Sequence, residues 1–201
     1  MASRLDILRK AVFEKLQHDL DDVYTYHSVE HTQAMLAAVS GYTEHQDISD
    51  QEIELLKIAI LFHDLGFAES AVDHEKRGAE MAKEAMNELG YSTQEMSMVE
   101  KLIKATKVPQ KPESTLERII CDIDLDYLGL PEYEERSELL YKEWLALGII
   151  KNRAEWEKRE LAFLENHRFH SEFGLEQRQP VLEEHIKRIK AELKNKEFGN
   201  N

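Results

Sequence analysis

Apolar residues recur at spacings of three and four along almost the whole chain, which is the period of helices that bury one face. No stretch alternates apolar and polar residues as a half-buried strand would, so the pattern predicts an all-α fold. The stripe Leu5, Leu8, Val12, Phe13, Leu16, Leu20 predicts an outer amphipathic helix over about 4–20, with His18 as an ordinary surface residue on it. A second helix starts near Ser28 and carries Met35, Ala38 and Val39 toward His45. In EIELLKIAILFHDLGF, Glu52 to Phe67, the sets Ile53, Leu56, Ile60 and Leu55, Ala59, Phe62 both repeat helically, so this helix is buried on most of its surface. Ser49 or Asp50 caps its start, and Gly66 suits the left-handed position that follows a last turn. Further helices are predicted over His74–Leu89, stopped by Gly90, and from a Ser92 or Thr93 cap to about Lys107, stopped by Val108-Pro109. A Ser114/Glu117 capping box and the Gly129, Pro131 stop bracket another over about Thr115–Leu128. From Glu132 onward three stripes follow: Tyr133 to Leu147, Trp156 to Leu164, and Val181 to Leu193 after Pro180.

Against this pattern a few polar residues stand in the wrong places. Asp64 ends the most apolar helix, where a carboxylate meets the negative end of the macrodipole and calls for a compensating positive charge. His31 shares the inward stripe of Met35 and Val39, and a histidine there needs either a hydrogen-bond partner or a metal. On the wheel of the Thr115–Leu128 segment, Leu116, Ile119, Ile120, Ile123 and Tyr127 form the apolar face, and Arg118, Asp122 and Asp126 the polar one. Asp124 falls between Ile120 and Leu128, inside the apolar sector, where an unpaired carboxylate is costly to bury. Asp122 and Asp126 are read as solvent-facing acids, Glu75 as a solvated helix start, and His167 and His170 as surface residues of an amphipathic helix.

Composition narrows what such a chain does. At 201 residues it has room for one domain with a substantial core, and 1–201 is read as a single domain. A formal net charge of -14 repels a phosphate backbone and argues against extended nucleic acid as a partner. One basic island remains, Lys101 to Pro112, with four Lys and no acid, which suits a small anion. The single Cys121 excludes an internal disulfide framework, and the first residues lack the apolar segment of a signal peptide, so a cytoplasmic location is expected. No run reaches the roughly 20 apolar residues of a membrane span.

The series His31, then His63-Asp64 closing an apolar helix, then Asp124 in a later helix resembles the signature of the HD-domain superfamily of metal-dependent phosphohydrolases. The resemblance covers about 25–130, an HD core, and leaves about 131–197 as a helical cap. It implies an all-helical bundle in which His31, His63, Asp64 and Asp124 bind one divalent metal ion. Asp122 also fits the last position of the signature, and the helical wheel selects Asp124. Two imidazoles and two carboxylates suit Mn, Fe, Zn, Ni, Co or Mg alike. The segment YHSVEHT is similar to one in cyclic-nucleotide phosphodiesterases, which implies that His27 is a general acid. The residues of a second metal site are not traceable beyond His74, which is placed beside the metal ligands and not among them.

The expected activity is therefore hydrolysis of a nucleotide or other small phosphate ester by water activated at the metal, with Asp64 taking the proton. Lys104, Lys107 or Arg77 would steady the phosphate. The alternative is a catalytically silent metal- or nucleotide-binding regulator on the same fold.

Overall fold

The computed structural model describes residues 2–199; Met1 and the last two residues of the 1–201 span lie outside it. Among the described residues there are nine α-helices and no strand. They are α1 Arg4–Asp19, α2 Val29–Thr43, α3 Asp50–Phe62, α4 His74–Glu88, α5 Thr93–Ala105, α6 Thr115–Asp124, α7 Tyr133–Ala146, α8 Arg153–Asn166 and α9 Gln179–Gly199. Serine caps set most of the early starts. Ser49 with Glu52, Ser92 with Glu95 and Ser114 with Glu117 form capping boxes, as does Ser3 with Asp6 on α1. Ser28 alone caps α2, its hydroxyl accepting from the His31 amide.

α3 is the centre. It packs against α1, α2, α4, α5 and α6, and its residues from Ile58 to Phe62 are buried without interruption. They join Leu8, Val12, Met35, Val39, Met86, Val99, Ile103, Ile119 and Ile120 in one apolar core. A smaller core of Leu128, Tyr133, Leu164, Phe169 and Leu182 lies among the C-terminal helices.

Two expectations about local structure need correction. Gly66 is not left-handed; among the described residues only Gly90, Gly148 and Asp73 have positive φ. Its requirement is closeness, since a Cβ there would stand 2.1 Å from the His74 carbonyl oxygen. The helix drawn over Thr115–Leu128 breaks at Leu125 (φ -107°, ψ 18°) and continues as a 3-10 turn over Asp126–Gly129. That break turns Asp126 away from the direction that a continuous wheel assigns it.

The acids read as solvent-facing are buried. Asp122 is 0% exposed and accepts the amides of His170 and Ser171, each at 2.8 Å, and the Ser171 hydroxyl at 2.5 Å. Asp126 accepts from the Tyr42 hydroxyl and from Arg178 Nε, each at 2.6 Å. Both are covered because the C-terminal segment folds back onto the polar side of α6. For the same reason His167 and His170 are not on a helix surface: α8 ends at Asn166, and both residues are half-buried in the connection that follows.

Candidate metal centre and cavity

His31 sits in the first turn of α2, His63 closes α3, and Asp124 is the last residue of α6. One ligand atom from each of these three lies within 4.8 Å of the other two. His31 Nε2 is 3.3 Å, and His63 Nε2 3.5 Å, from Asp124 Oδ1. Asp64 borders this set without joining it fully: its Oδ2 is 3.0 Å from His63 Nε2 and 3.7 Å from His31 Nε2. Asp64 is not in the last turn of α3 but one residue past its cap, opening the 3-10 turn Leu65–Ala68. Its carboxylate therefore lies at the start of a new turn, which eases the dipole conflict.

The donor chemistry fits a cation. His63 Nδ1 donates to the Ile60 carbonyl at 2.8 Å, so in the neutral ring the lone pair is on Nε2. That Nε2 and Asp64 Oδ2 are both buried and, though 3.0 Å apart, make no hydrogen bond, since in the neutral ring each presents a lone pair to the other. Burial alone would raise the Asp64 pKa, but His63, His27 and His31 outweigh it and hold the carboxyl below its usual range. Burial would likewise lower the His63 pKa, but the Asp64 and Asp124 carboxylates hold the imidazole well above its ordinary value. Two carboxylates kept ionised in a buried place demand positive charge, which a divalent ion supplies without charging the imidazoles. Gln110 fixes the far side of the set, its amide reaching Asp124 Oδ2 at 3.5 Å and the Cys121 carbonyl at 3.3 Å.

A cavity of about 340 Å³ opens onto this cluster. His27, Asp64, Asp124, His74, Glu75 and Lys107 line one side of it, whereas His31 and His63 stand behind the wall. His27 precedes the Ser28 cap, and its side chain is 21% exposed. Its Nδ1 meets Glu143 Oε1 at 2.5 Å, and Glu143 Oε2 accepts the amides of Tyr26 and His27 at 2.9 and 3.1 Å. Burial opposes a charge on His27, but Asp64 and then Glu143 outweigh it and raise the imidazole pKa. Glu143 comes from α7 and was missed in the sequence. The signal is the same as for Asp124: at about 100° per residue it falls between Leu139 and Leu140 on the helical wheel.

Phe67 packs between two imidazoles, with ring centroids 4.5 Å from His27 and 3.9 Å from His74. His74 Nε2 is 3.6 Å from both Asp64 Oδ1 and Glu75 Oε1. Glu75 is buried beside it rather than solvated, with Lys107 Nζ 4.0 Å away, because the start of α4 packs against the turn after His63. Of the three basic residues expected to receive phosphate, only Lys107 lines the cavity. Arg77 reaches Glu69 and the Val72 carbonyl, and Lys104 pairs with Glu100 on its own helix.

The model of the HD domain matches residues 24–126, more than half of the chain and the whole span from Tyr26 to Asp124 that builds the centre. The chain belongs to the HD-domain family. No curated protein and no solved structure matches it. This HD domain brings His31, His63 and Asp124 together as a group that can hold a metal ion, in a family associated with metal-dependent phosphohydrolysis. Among the described residues, no helix of this HD protein is long and apolar enough to cross a membrane.

Proposed function

We propose that the protein is a metal-dependent phosphohydrolase acting on a nucleotide or another small phosphate ester. The observation that carries this reading is the convergence of His31, His63 and Asp124 beside the buried, unpartnered Nε2 of His63 and Oδ2 of Asp64. These four residues would hold one divalent ion. When bound, such an ion lowers the pKa of water and offsets charge on a phosphoryl oxygen.

The chain's own groups supply the rest. Glu143 accepts the Nδ1 proton of His27, which fixes the ring and leaves Nε2 to hand a proton to the leaving oxygen. The raised His27 pKa favours the protonated ring that a general acid needs. Asp64 lines the cavity, which supports its role as the group that takes the proton of the attacking water. Lys107 faces the same space and offsets charge on non-reacting phosphate oxygens. A cavity of this volume, at the small end of the about 300–1,000 Å³ typical of ligand sites, supports a small substrate over a polymer.

The test is elemental analysis of the purified protein followed by a panel of phosphorylated metabolites, with and without a chelator. Turnover that requires a divalent cation and vanishes on its removal is the expected result. Activity that survives exhaustive chelation overturns the mechanism, and full metal occupancy with no ester hydrolysed moves the protein to a silent regulatory role.

A further inference from the structure

The cavity has two unlike sides. The metal side belongs to the HD core, while the opposite wall is built mainly after residue 126, beyond the stretch matched to the family. That wall is Tyr127, Leu140, Trp144, Trp156 and Phe163, with the carboxylate of Glu160 and the guanidinium of Arg159 among them. The rings brace one another: Trp144 and Trp156 meet edge to face at 5.4 Å, and Tyr127 stacks with Tyr133 at 6.2 Å. Glu160 Oε1 accepts from the hydroxyls of Tyr133 and Ser137. Its other oxygen takes no hydrogen bond among the described residues.

Resting on the phosphohydrolase reading of the same site, we infer that this wall is a subsite for a planar nitrogen heterocycle of nucleobase type, with Glu160 accepting an N–H from the edge of the ring. The chemistry excludes the alternatives in turn. A sugar phosphate carries several hydroxyls, and beyond Glu160 and Arg159 this wall offers them only indole, phenyl and leucine surfaces that return no hydrogen bonds, which costs their desolvation. An aliphatic chain would satisfy the rings but leave the carboxylate facing hydrocarbon. A substrate with a phosphate at each end would bring its second anion to the Glu160 carboxylate, and the one cation among the residues of this wall, Arg159, is already paired with Glu155 at 2.6 Å. A flat ring stacks on the aromatic side chains, and one N–H on its edge meets the free carboxylate oxygen.

The chain has two tryptophans, and both line this wall, so their emission reports occupancy directly. The experiment titrates chelator-treated full-length protein with adenosine, guanosine, cytidine and uridine, and with ribose 5-phosphate and octyl phosphate as controls; calorimetry checks each binding curve. Because nucleosides carry no phosphate and no metal is present, the readout is independent of hydrolysis. At least one nucleoside should bind saturably and at least tenfold more tightly than either control. Glu160→Gln should weaken that nucleoside tenfold or more and leave phenyl phosphate unchanged, and Leu140→Phe, which narrows the cavity, should weaken all ring ligands. Tighter binding of octyl phosphate than of every nucleoside overturns the inference, as does the absence of saturable nucleoside binding or indifference to Glu160→Gln in a folded variant. A nucleoside that binds while no ester is hydrolysed upholds the subsite and removes the phosphohydrolase; hydrolysis without nucleoside binding does the reverse.

Discussion

The helices before residue 126 and those after 132 are held in place by different forces. In the first group α3 is surrounded by aliphatic side chains from five helices, and the buried polar residues, His31, His63, Asp64 and Asp122 among them, stand at the edge of that apolar core. The second group packs around a small core, Leu128 from the preceding turn with Tyr133, Leu164, Phe169 and Leu182 among the described residues, and is fastened to the first through buried carboxylates. Asp122 holds the chain at His170 and Ser171, Asp126 bridges Tyr42 and Arg178, and Glu143 reaches back to Tyr26 and His27. Apolar contact tolerates small shifts, whereas a carboxylate that accepts two or three hydrogen bonds fixes position and direction. The cavity lies between the two groups, so the polar fastenings also set its shape.

The sharpest way to break this comparison is within α6, where neighbouring aspartates serve opposite ends. Asp124→Ala and His31→Ala should each lose metal and lower activity by roughly 10⁴-fold or more, the scale of losing the central electrostatic device of a hydrolase. Asp122→Ala should keep its metal. Metal loss from Asp122→Ala equal to that from Asp124→Ala, measured by elemental analysis, would show that the two residues do not divide the work in this way.

That division shows how far the sequence could be read. Asp124 was legible because its conflict is local: an acid between Ile120 and Leu128 is visible on one helical wheel. The starts of α3, α5 and α6 were legible for the same reason, since a serine and the glutamate three residues later announce themselves. Asp122 and Asp126 gave the opposite impression because they share the polar side of a continuous wheel over Thr115–Leu128, and their partners are distant in sequence: His170 and Arg178 lie 48 and 52 residues further along, and Tyr42 lies 84 residues earlier. The break at Leu125 compounded this, as a wheel assumes a continuous helix. Glu143 sits between two leucines on its own wheel as Asp124 does between Ile120 and Leu128, but it is one acid in a strongly charged segment, which masks the signal.

Next in size is the pair that joins the two groups at the site. His27→Ala should retain metal and lose about 10²- to 10⁴-fold in kcat if it is the general acid. Nitrophenyl esters, whose leaving group needs little protonation, should be spared much of that loss. Glu143→Gln should move the same way by a smaller factor and shift the acidic protein's pH–rate profile to lower pH, because the carboxylate that helps to raise the His27 pKa has been neutralised. An equal loss on good and poor leaving groups would remove the assignment.

Stability should separate the fastenings from the ligands. Asp122→Ala leaves the amides of His170 and Ser171 without their acceptor in a buried place, a loss of roughly 3 kcal/mol, read from denaturant midpoints. His167 adds a pH dependence to the same C-terminal segment. Burial first, and His170 second, hold its pKa down at about 4 from an ordinary 6.5, with Asp124 opposing weakly. The folded state thus prefers the neutral ring, so its contribution is intact above pH 6.5 and is lost as pH falls from 6.5 toward 4. Wild type should lose up to about 3 kcal/mol more than His167→Phe across that window. Parallel thermal midpoints for the two proteins from pH 7 to pH 4 would contradict this.

The smallest effects are expected among the lysines and arginine, where position in the cavity decides the outcome. Lys107 is the one of the three that lines it, yet it is 58% exposed and held by Asp73 at 3.1 Å, so it must leave one carboxylate to meet a phosphate. Lys107→Ala should therefore raise KM only about two- to fivefold, the scale of an exposed charge pair, and the difference should shrink in high salt. Asp73→Asn frees the same ammonium and should lower KM by a similar factor. Arg77→Ala and Lys104→Ala should change neither KM nor kcat beyond error, since their partners, Glu69 and Glu100, lie outside the cavity lining. A rise in KM for Arg77→Ala as large as that for Lys107→Ala would mean that substrate extends over the α4 start instead of turning into the aromatic wall.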